Sequence, residues 1–310
     1  MQGGVREVRG GGAGAARRGQ RGAVVPAHRL RAAGLPAHGR SRGDVAARRP
    51  ARARGALRHR GAPGVRALIV NADDFGLTRG VSAGILAAHR HGIVTSTTVL
   101  VNAGPDREQL AEARAAGLGL GLHVNLTLGK PLTRARSLVD GGGRFVRDPR
   151  RAAARAVAGD VRAEIEAQVA RFERLVGRPP THLDTHHHVG LYAPVRDIVL
   201  EIARALGVPV RSQDAAARTR ARAAGLRTPD HFFGEAGPDA YWSPQRTLAC
   251  LRALPPGVSE LMCHPGRFDD DLAYSRYARQ REVELAALGA PSARAAAISL
   301  GIDLRHFGQL

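Results

Sequence analysis

Four short polar clusters, each placed directly after an apolar run, carry the residue types that metal-assisted hydrolysis uses. The first is Asn71-Ala72-Asp73-Asp74-Phe75-Gly76, which follows Leu68-Ile69-Val70 and puts two adjacent carboxylates at the C-terminal end of a buried strand. Side chains alternate between the faces of a strand. Asp73 and Asp74 can therefore serve one site only where the strand ends and the chain turns, and Phe75-Gly76 supplies that turn. The other clusters are Gly121-Leu122-His123-Val124-Asn125, Thr181-His182-Leu183-Asp184-Thr185-His186-His187-His188 and Glu260-Leu261-Met262-Cys263-His264-Pro265. An isolated Asp-Asp pair describes a solvated turn or a helix N-cap equally well, and a lone histidine is usually structural. Three consecutive histidines at a strand end are harder to accommodate by packing, because each imidazole needs a hydrogen-bond partner or a ligand. Together the clusters predict a metal-dependent hydrolase site assembled from several strand ends.

The elements that would position these clusters alternate along the chain. Strands are expected over residues 66–70, 96–102, 118–124, 181–184, 208–211 and 258–263, with a last short one over 302–307. Helices are expected over 79–91, 105–116, 160–176, 193–206, 244–254 and 274–288. Thr78 caps the first helix and Gly92 stops it, while Pro105 stands at the first position of the second. Val161, Ile165, Val169, Phe172 and Val176 fall at helical spacing and read as core. Residues 127–149, rich in Gly, Arg and Pro, form a long loop over the site, and 214–227 is open between helix and loop. Repeated β/α units with polar residues at successive strand ends predict an α/β fold. The expected architecture is a single domain, a distorted (β/α) TIM-like barrel with its site at the C-terminal face of the strands. The rival, an open doubly wound sheet, usually carries a glycine-rich phosphate loop after its first strand, where this chain has acids. Gly117-x-Gly119-x-Gly121 precedes a strand rather than opening a helix and is not a dinucleotide fingerprint.

Residues 1–64 stand apart. They hold fifteen arginines against Glu7 and Asp44, and so carry thirteen of the chain's twenty formal positive charges. Filled out with Gly, Ala and Pro, this segment cannot bury a core and is expected to be a disordered extension. Ser41 is its only hydroxyl residue and no apolar run follows Arg17-Arg18, so a secretory or twin-arginine signal is not indicated. Lys130 is the only lysine of the chain, which points to a strong genomic G+C bias and to translation from an upstream start. The working protein is expected to begin near Val65, with residues 65–310 as one domain. Its modest charge excludes a bulk-charge argument for nucleic acid. There is no run of 18 or more apolar residues and no CxxC pattern, Cys250 and Cys263 being the only cysteines. A soluble, cytoplasmic protein is expected, without a transmembrane segment, disulfide framework or thiolate zinc site.

Five motifs taken in order carry a resemblance: Leu-Ile-Val-Asn-Ala-Asp-Asp-Phe-Gly (68–76), Gly-Ile-Val-Thr-Ser-Thr-Thr (92–98), Gly-Leu-His-Val-Asn-Leu-Thr-Leu-Gly-Lys-Pro-Leu (121–132), Pro-Thr-His-Leu-Asp-Thr-His-His-His-Val (180–189) and Glu-Leu-Met-Cys-His-Pro-Gly (260–266). They resemble the YdjC-like carbohydrate deacetylases, also described as chitooligosaccharide or chitin disaccharide deacetylases. The resemblance covers residue 66 to the C-terminus. It implies a distorted (β/α) barrel, a divalent metal and removal of acetyl groups from N-acetylated amino sugars, which would be the partner of the folded domain.

Within that frame Asp74, His123 and His186 are assigned as metal ligands, leaving positions for water and a substrate carbonyl. Resemblance to the wider polysaccharide deacetylase pattern makes Asp73 the general base. A departing amine must be protonated, and His264, from a distant strand end, is the candidate acid. His188 stays an alternative to His186, since both lie on one face if the strand continues, and Asp184 is expected to orient a ligating histidine. Asn125 and Arg267 flank site histidines and are candidates for substrate contact. Trp242, with Tyr241, Phe232 and Phe233, is a candidate sugar platform, with core packing as good an account. The cofactor is one divalent ion. Imidazole and carboxylate ligands suit Zn2+ but also manganese, iron or cobalt, whereas the family description implies Mg2+. Two other classes compete. Non-haem iron oxygenases share a two-His, one-carboxylate set but typically sit on β-sandwich-like scaffolds. A binder driven by the Arg-rich segment would lose its salt-dependent affinity on deletion of residues 1–64, while an enzyme would keep its turnover. The acetylated sugar is not specified by these motifs, and because barrels of this kind often pair, a homo-oligomer is compatible with them.

Overall fold

Leu68, Ile69 and Val70 are fully buried, and they begin the strand around which the sheet is built. The structure, a computed structural model, describes residues 64–235 and 239–310. Chain order is β1 (Arg66–Phe75), α1 (Arg79–His91), β2 (Ser96–Val99), α2 (Arg107–Ala115), β3 (Gly119–Val124), α3 (Pro149–Arg155), α4 (Ala158–Val176), β4 (Leu183–Thr185), α5 (Val195–Leu206), α6 (Ala215–Ala223), β5 (His231–Phe233), α7 (Pro244–Arg252), β6 (Gly257–Cys263), α8 (Gln280–Leu288), α9 (Pro291–Ser299) and β7 (Ile302–Arg305). All pairings between these strands are parallel, in the order β4-β3-β2-β1-β6-β5 with β7 also on β1. β1 pairs with β6 over residues 66–72, while its other edge is divided, β7 taking 66–69 and β2 taking 71–75. The sheet curls into a half-barrel with helices outside, so the barrel expectation holds in a more open form. Past β4 the curl continues as single main-chain contacts. The segment expected as a strand over 208–211 contributes a single bridge, Val210 to Leu183, in which the Leu183 N–H donates to the Pro209 carbonyl and the Arg211 N–H to the Leu183 carbonyl, while the Val210 N–H donates to the Arg227 carbonyl.

Local chemistry explains most element ends. The Thr78 hydroxyl accepts from the N–H of Val81 and the N–H of Gly92 returns to Ala88, so α1 has the bounds its caps predict. The apolar positions of α4 from Val161 to Val176 are buried as their spacing requires. Pro105 does not start α2. Asp106 caps it, its carboxylate accepting from the N–H groups of Glu108 and Gln109, which moves the start past the proline. The helix expected over 274–288 is helical from Gln280 only, and β5 and α9, absent from the sequence reading, complete the sheet edge and the outer layer. The extension expected over residues 1–64 lies, apart from Gly64, outside the described residues. No described helix is long and apolar enough to cross a membrane.

The loop over residues 127–149 is pinned to α4 by buried acids. Glu164, fully buried, accepts from the N–H of Leu132 and Thr133, from the Thr133 hydroxyl at 2.8 Å, and from the amides of Asn102 and Gln168. Asp160 takes the N–H and hydroxyl of Ser137, both at 2.8 Å. Removing Glu164 would leave several buried donors without acceptors. Glu164→Ala is expected to cost about 2–3 kcal/mol in urea unfolding and to open the loop to trypsin at Arg134 and Arg136. A variant as stable and as trypsin-resistant as the parent would contradict the anchoring.

Candidate active site

The register of β1 slips between Ala72 and Phe75, and Asp74 takes a left-handed φ of 74°. An aspartate tolerates this region better than most residues, and the slip breaks the alternation that would send neighbouring side chains to opposite faces. Both carboxylates therefore line one cleft of about 690 Å3.

At its floor three donor atoms converge. Asp74 Oδ1 lies 3.1 Å from His186 Nδ1 and 3.4 Å from His123 Nε2, and the two imidazoles meet edge to face at 5.2 Å. His123 comes from β3 and His186 directly follows β4. The far nitrogen of His123, Nδ1, sits 2.6 Å from Asp184 Oδ1, which fixes the ring and leaves Nε2 facing Asp74. The strand ends at Thr185, and His187 and His188 both take left-handed backbone, φ 53° and 54°. The condition under which His188 would share the face of His186 is thus not met. His188 Nδ1 meets the Gln213 amide at 3.1 Å, and His187 Nδ1 meets the Thr127 hydroxyl at 3.0 Å.

Behind these groups a buried arginine joins three carboxylates. Arg211 clasps Asp73 through two hydrogen bonds of 2.7 Å, reaches Glu260 at 2.7 Å through Nε and lies 2.9 Å from Asp184. On the other side Arg281 donates to Asp74 Oδ2 at 2.6 Å. Burial alone would raise the Asp73 carboxyl, but Arg211, with His123 and His264, holds it far below the usual carboxylate range. Asp74 is held low in the same way against burial, by Arg281 first and His186 next. Burial disfavours a charged His123, yet Asp184, Asp74 and Asp73 raise it to about 10. Burial lifts Glu260 to about 7 despite Arg211, and burial lowers His186.

The donor set fits a divalent cation on two counts. Asp74 Oδ1 is buried and accepts no hydrogen bond, although a lone acceptor in that state is costly. The connected network also sets four carboxylates, Asp73, Asp74, Asp184 and Glu260, against the two guanidiniums of Arg211 and Arg281. It lacks two positive charges. Asp73 is likewise near His123 and Asp184, but Arg211 already occupies its oxygens.

His264, at the end of β6, faces the cleft with Nε2 4.0 Å from Asp73 Oδ2. Its position is set by Glu284, a fully buried carboxylate on α8 that accepts from the His264 N–H, the Trp242 N–H and, at 2.6 Å, the Tyr277 hydroxyl. Three candidates lie elsewhere. Trp242 is buried with its indole N–H on the Met262 carbonyl at 2.8 Å, and it does not line the cleft. The Asn125 side chain is used up in its own loop, Oδ1 accepting from Thr127 and Leu128 and Nδ2 donating to the Leu128 carbonyl. Arg267 is exposed beside α1, held through its backbone on Gly80, and is also outside the cleft. Arg211, Arg281 and Glu284 were missed from the sequence. Arg211 had one signal, its place at the end of the Val208–Arg211 run.

The YdjC-like protein family profile matches residues 67–298. The chain is 40% identical over 255 residues to a chitooligosaccharide deacetylase of Serratia marcescens, covering 78% of this chain and 98% of that one. It is 40% identical over 245 residues to a carbohydrate deacetylase of Geobacillus stearothermophilus, covering 76% and 94%. Among solved structures, a candidate cellobiose-phosphate cleavage protein of Enterococcus faecalis superposes with a TM-score of 0.72 at 32% identity, covering 79% and 98%.

Two measurements probe this network. In the metal-free chain His123, at about 10, is protonated at neutral pH, and that proton must leave before Nε2 can bind an ion. Zn2+ binding is expected to release about one proton or more per ion, and its affinity to rise with pH up to that value. Calorimetry in buffers of different ionisation enthalpy reads the count, and zero release would show that His123 is already neutral in the metal-free chain. Arg211→Lys cannot serve three carboxylates in one plane and is expected to cost about 3 kcal/mol or more in urea unfolding. A loss below 1 kcal/mol would show the clasp to be dispensable.

Proposed function

The chain belongs to the YdjC-like family, and on that basis we propose that it is a metal-dependent hydrolase that removes acetyl groups from N-acetylated amino sugars. The observation that carries this reading is the convergence of Asp74, His123 and His186 at the floor of a cleft, with Asp73 and His264 beside them. In this reading Asp74 Oδ1, His123 Nε2 and His186 Nδ1 hold one divalent ion, Zn2+ or Mg2+. When bound, the ion supplies Lewis-acid polarisation of the acetyl carbonyl and makes water a better nucleophile.

The protein's own residues do the rest. Asp73, kept ionised and fixed by Arg211, receives the proton of the attacking water. His264 gives a proton to the departing amine, without which the C–N bond would have to expel an amide anion. Asp184 holds His123 in the orientation and tautomer that present Nε2. Arg281 offsets part of the Asp74 charge. Two free cysteines and the absence of any membrane-crossing helix among the described residues support a cytoplasmic setting.

Acetate release from N,N′-diacetylchitobiose by metal-reconstituted protein tests the proposal. Asp73→Asn and His264→Ala are each expected to lower kcat by about 10²–10⁴ with metal content unchanged. Deletion of residues 1–64 is expected to leave turnover in place. A parent that binds one ion but releases no acetate would move the assignment to another acylated sugar, and retained turnover in either variant would remove that residue from its role.

A further inference from the structure

Three residues other than glycine take left-handed backbone among the described residues, and all three stand at the candidate site: Asp74, His187 and His188. Such conformations cost free energy outside glycine and persist where the surrounding structure imposes them, most often at functional positions. The turn at His187 and His188 sends three successive rings to different places, His186 to Asp74, His187 to the Thr127 hydroxyl and His188 to Gln213. His187 also covers His186, their ring centroids 3.9 Å apart. His188 is left with one edge on the cleft and no task among the proposed catalytic groups.

We propose that His188 is a specificity-determining residue, its Nε2–H donating a hydrogen bond to a hydroxyl of the substrate ring that carries the acetamido group, with Gln213 as the residue that positions that proton. The inference rests on the deacetylase reading and adds to it a group that reads the sugar rather than the amide.

The tautomer follows from the contact with Gln213. The amide nitrogen of Gln213 meets His188 Nδ1 at 3.1 Å. An amide nitrogen can only donate, so Nδ1 accepts and the ring proton sits on Nε2. Nε2 itself has no hydrogen-bond partner among the described residues, and it is not closed off from solvent. The His188 ring lines the cleft and Gln213 does not, so the occupied nitrogen is turned to the protein and the free N–H to the cleft.

The support behind the ring is rigid. Gln213 belongs to the same short segment as Arg211, and that segment is anchored on both sides. The Arg211 N–H donates to the Leu183 carbonyl, and the buried Ser212 hydroxyl accepts from Thr228 at 2.7 Å. One stretch of chain therefore orients Asp73 through Arg211 and His188 through Gln213. Asp73 and His264 both act electrostatically on the His188 ring, which places it beside the proposed base and acid, where the ring carbon bearing the scissile amide would lie. A donor held this way binds a hydroxyl without first losing rotamer freedom.

Two substitutions separate the donor from the fold. Asparagine tolerates left-handed backbone and keeps an amide toward Gln213, but it ends short of the Nε2 position, whereas glutamine carries an amide nitrogen out to it. With metal-loaded full-length protein releasing acetate from N,N′-diacetylchitobiose, His188→Asn is expected to raise KM about fivefold to tenfold, with metal content unchanged, and His188→Gln to recover most of that loss. The imidazole 15N resonances read the tautomer directly. They are expected to show His188 protonated at Nε2 in the parent and a mixture of tautomers in Gln213→Leu. An unchanged KM in His188→Asn, a loss confined to kcat, or a parent ring protonated at Nδ1 would each overturn the contact and leave the deacetylase standing. Calorimetric titration of the metal-loaded Asp73→Asn chain with the same sugar, with and without His188→Asn, reads the contact in Kd without turnover. Weaker binding in the double variant, together with no acetate release by the parent, would support the contact and overturn the deacetylase.

Discussion

Arg211 sets the shape of the molecule around its site. A guanidinium taken out of water is tolerable only when it is fully paired, and this one is paired with Asp73 on β1, Asp184 on β4 and Glu260 on β6. In sheet order β4 and β6 are separated by β3, β2 and β1. Laid flat, strands four steps apart would stand roughly 19 Å from each other, too far for one side chain to hold an acid from each. The sheet must curl for Arg211 to be satisfied, and the same curl brings His123, His186 and His264 to one cleft. Fold and site geometry are two results of one buried charge.

The network also makes the protein unsatisfied by its own side chains. Two guanidiniums face four carboxylates, and in the metal-free state the shortfall is met by protons, on His123 and in part on Glu260. A bound divalent ion would supply the same charge without those protons. The ion would then contribute to folding as well as to chemistry, since it binds a site that the unfolded chain cannot assemble.

What could be read from the sequence was what is local. Thr78 and Gly92 bound α1, the spacing from Val161 to Val176 marks α4, and the four polar clusters do meet at one end of the sheet. Contacts between distant residues were not legible. Arg211 lies 138 residues from Asp73, and Arg281 lies 207 from Asp74, with no periodicity to connect them. The His186–His188 run misleads because period-two reasoning assumes a continuing strand, whereas left-handed backbone at His187 and His188 parts the three rings. Trp242 reads as a platform by residue type but is drawn inward by the Met262 carbonyl. Glu164 and Gln168, one helical turn apart on the apolar face of α4, are the kind of polar pair inside a core stripe that could have foretold the pinned loop.

The divided edge of β1 bears on how the chain reaches this structure. The strand formed by Arg66–Phe75 is the centre of the sheet, yet half of one of its edges waits for Ile302–Arg305. The backbone N–H of Phe307 then closes onto the Ser96 hydroxyl at 3.0 Å, and the Phe307 ring stacks on His182 at 3.9 Å. During synthesis the middle of the sheet is therefore among the first parts made and the last completed. From the end of β1 until Ile302–Arg305 are made, about three quarters of the chain's length, that strand edge stays open to pairing with a neighbour.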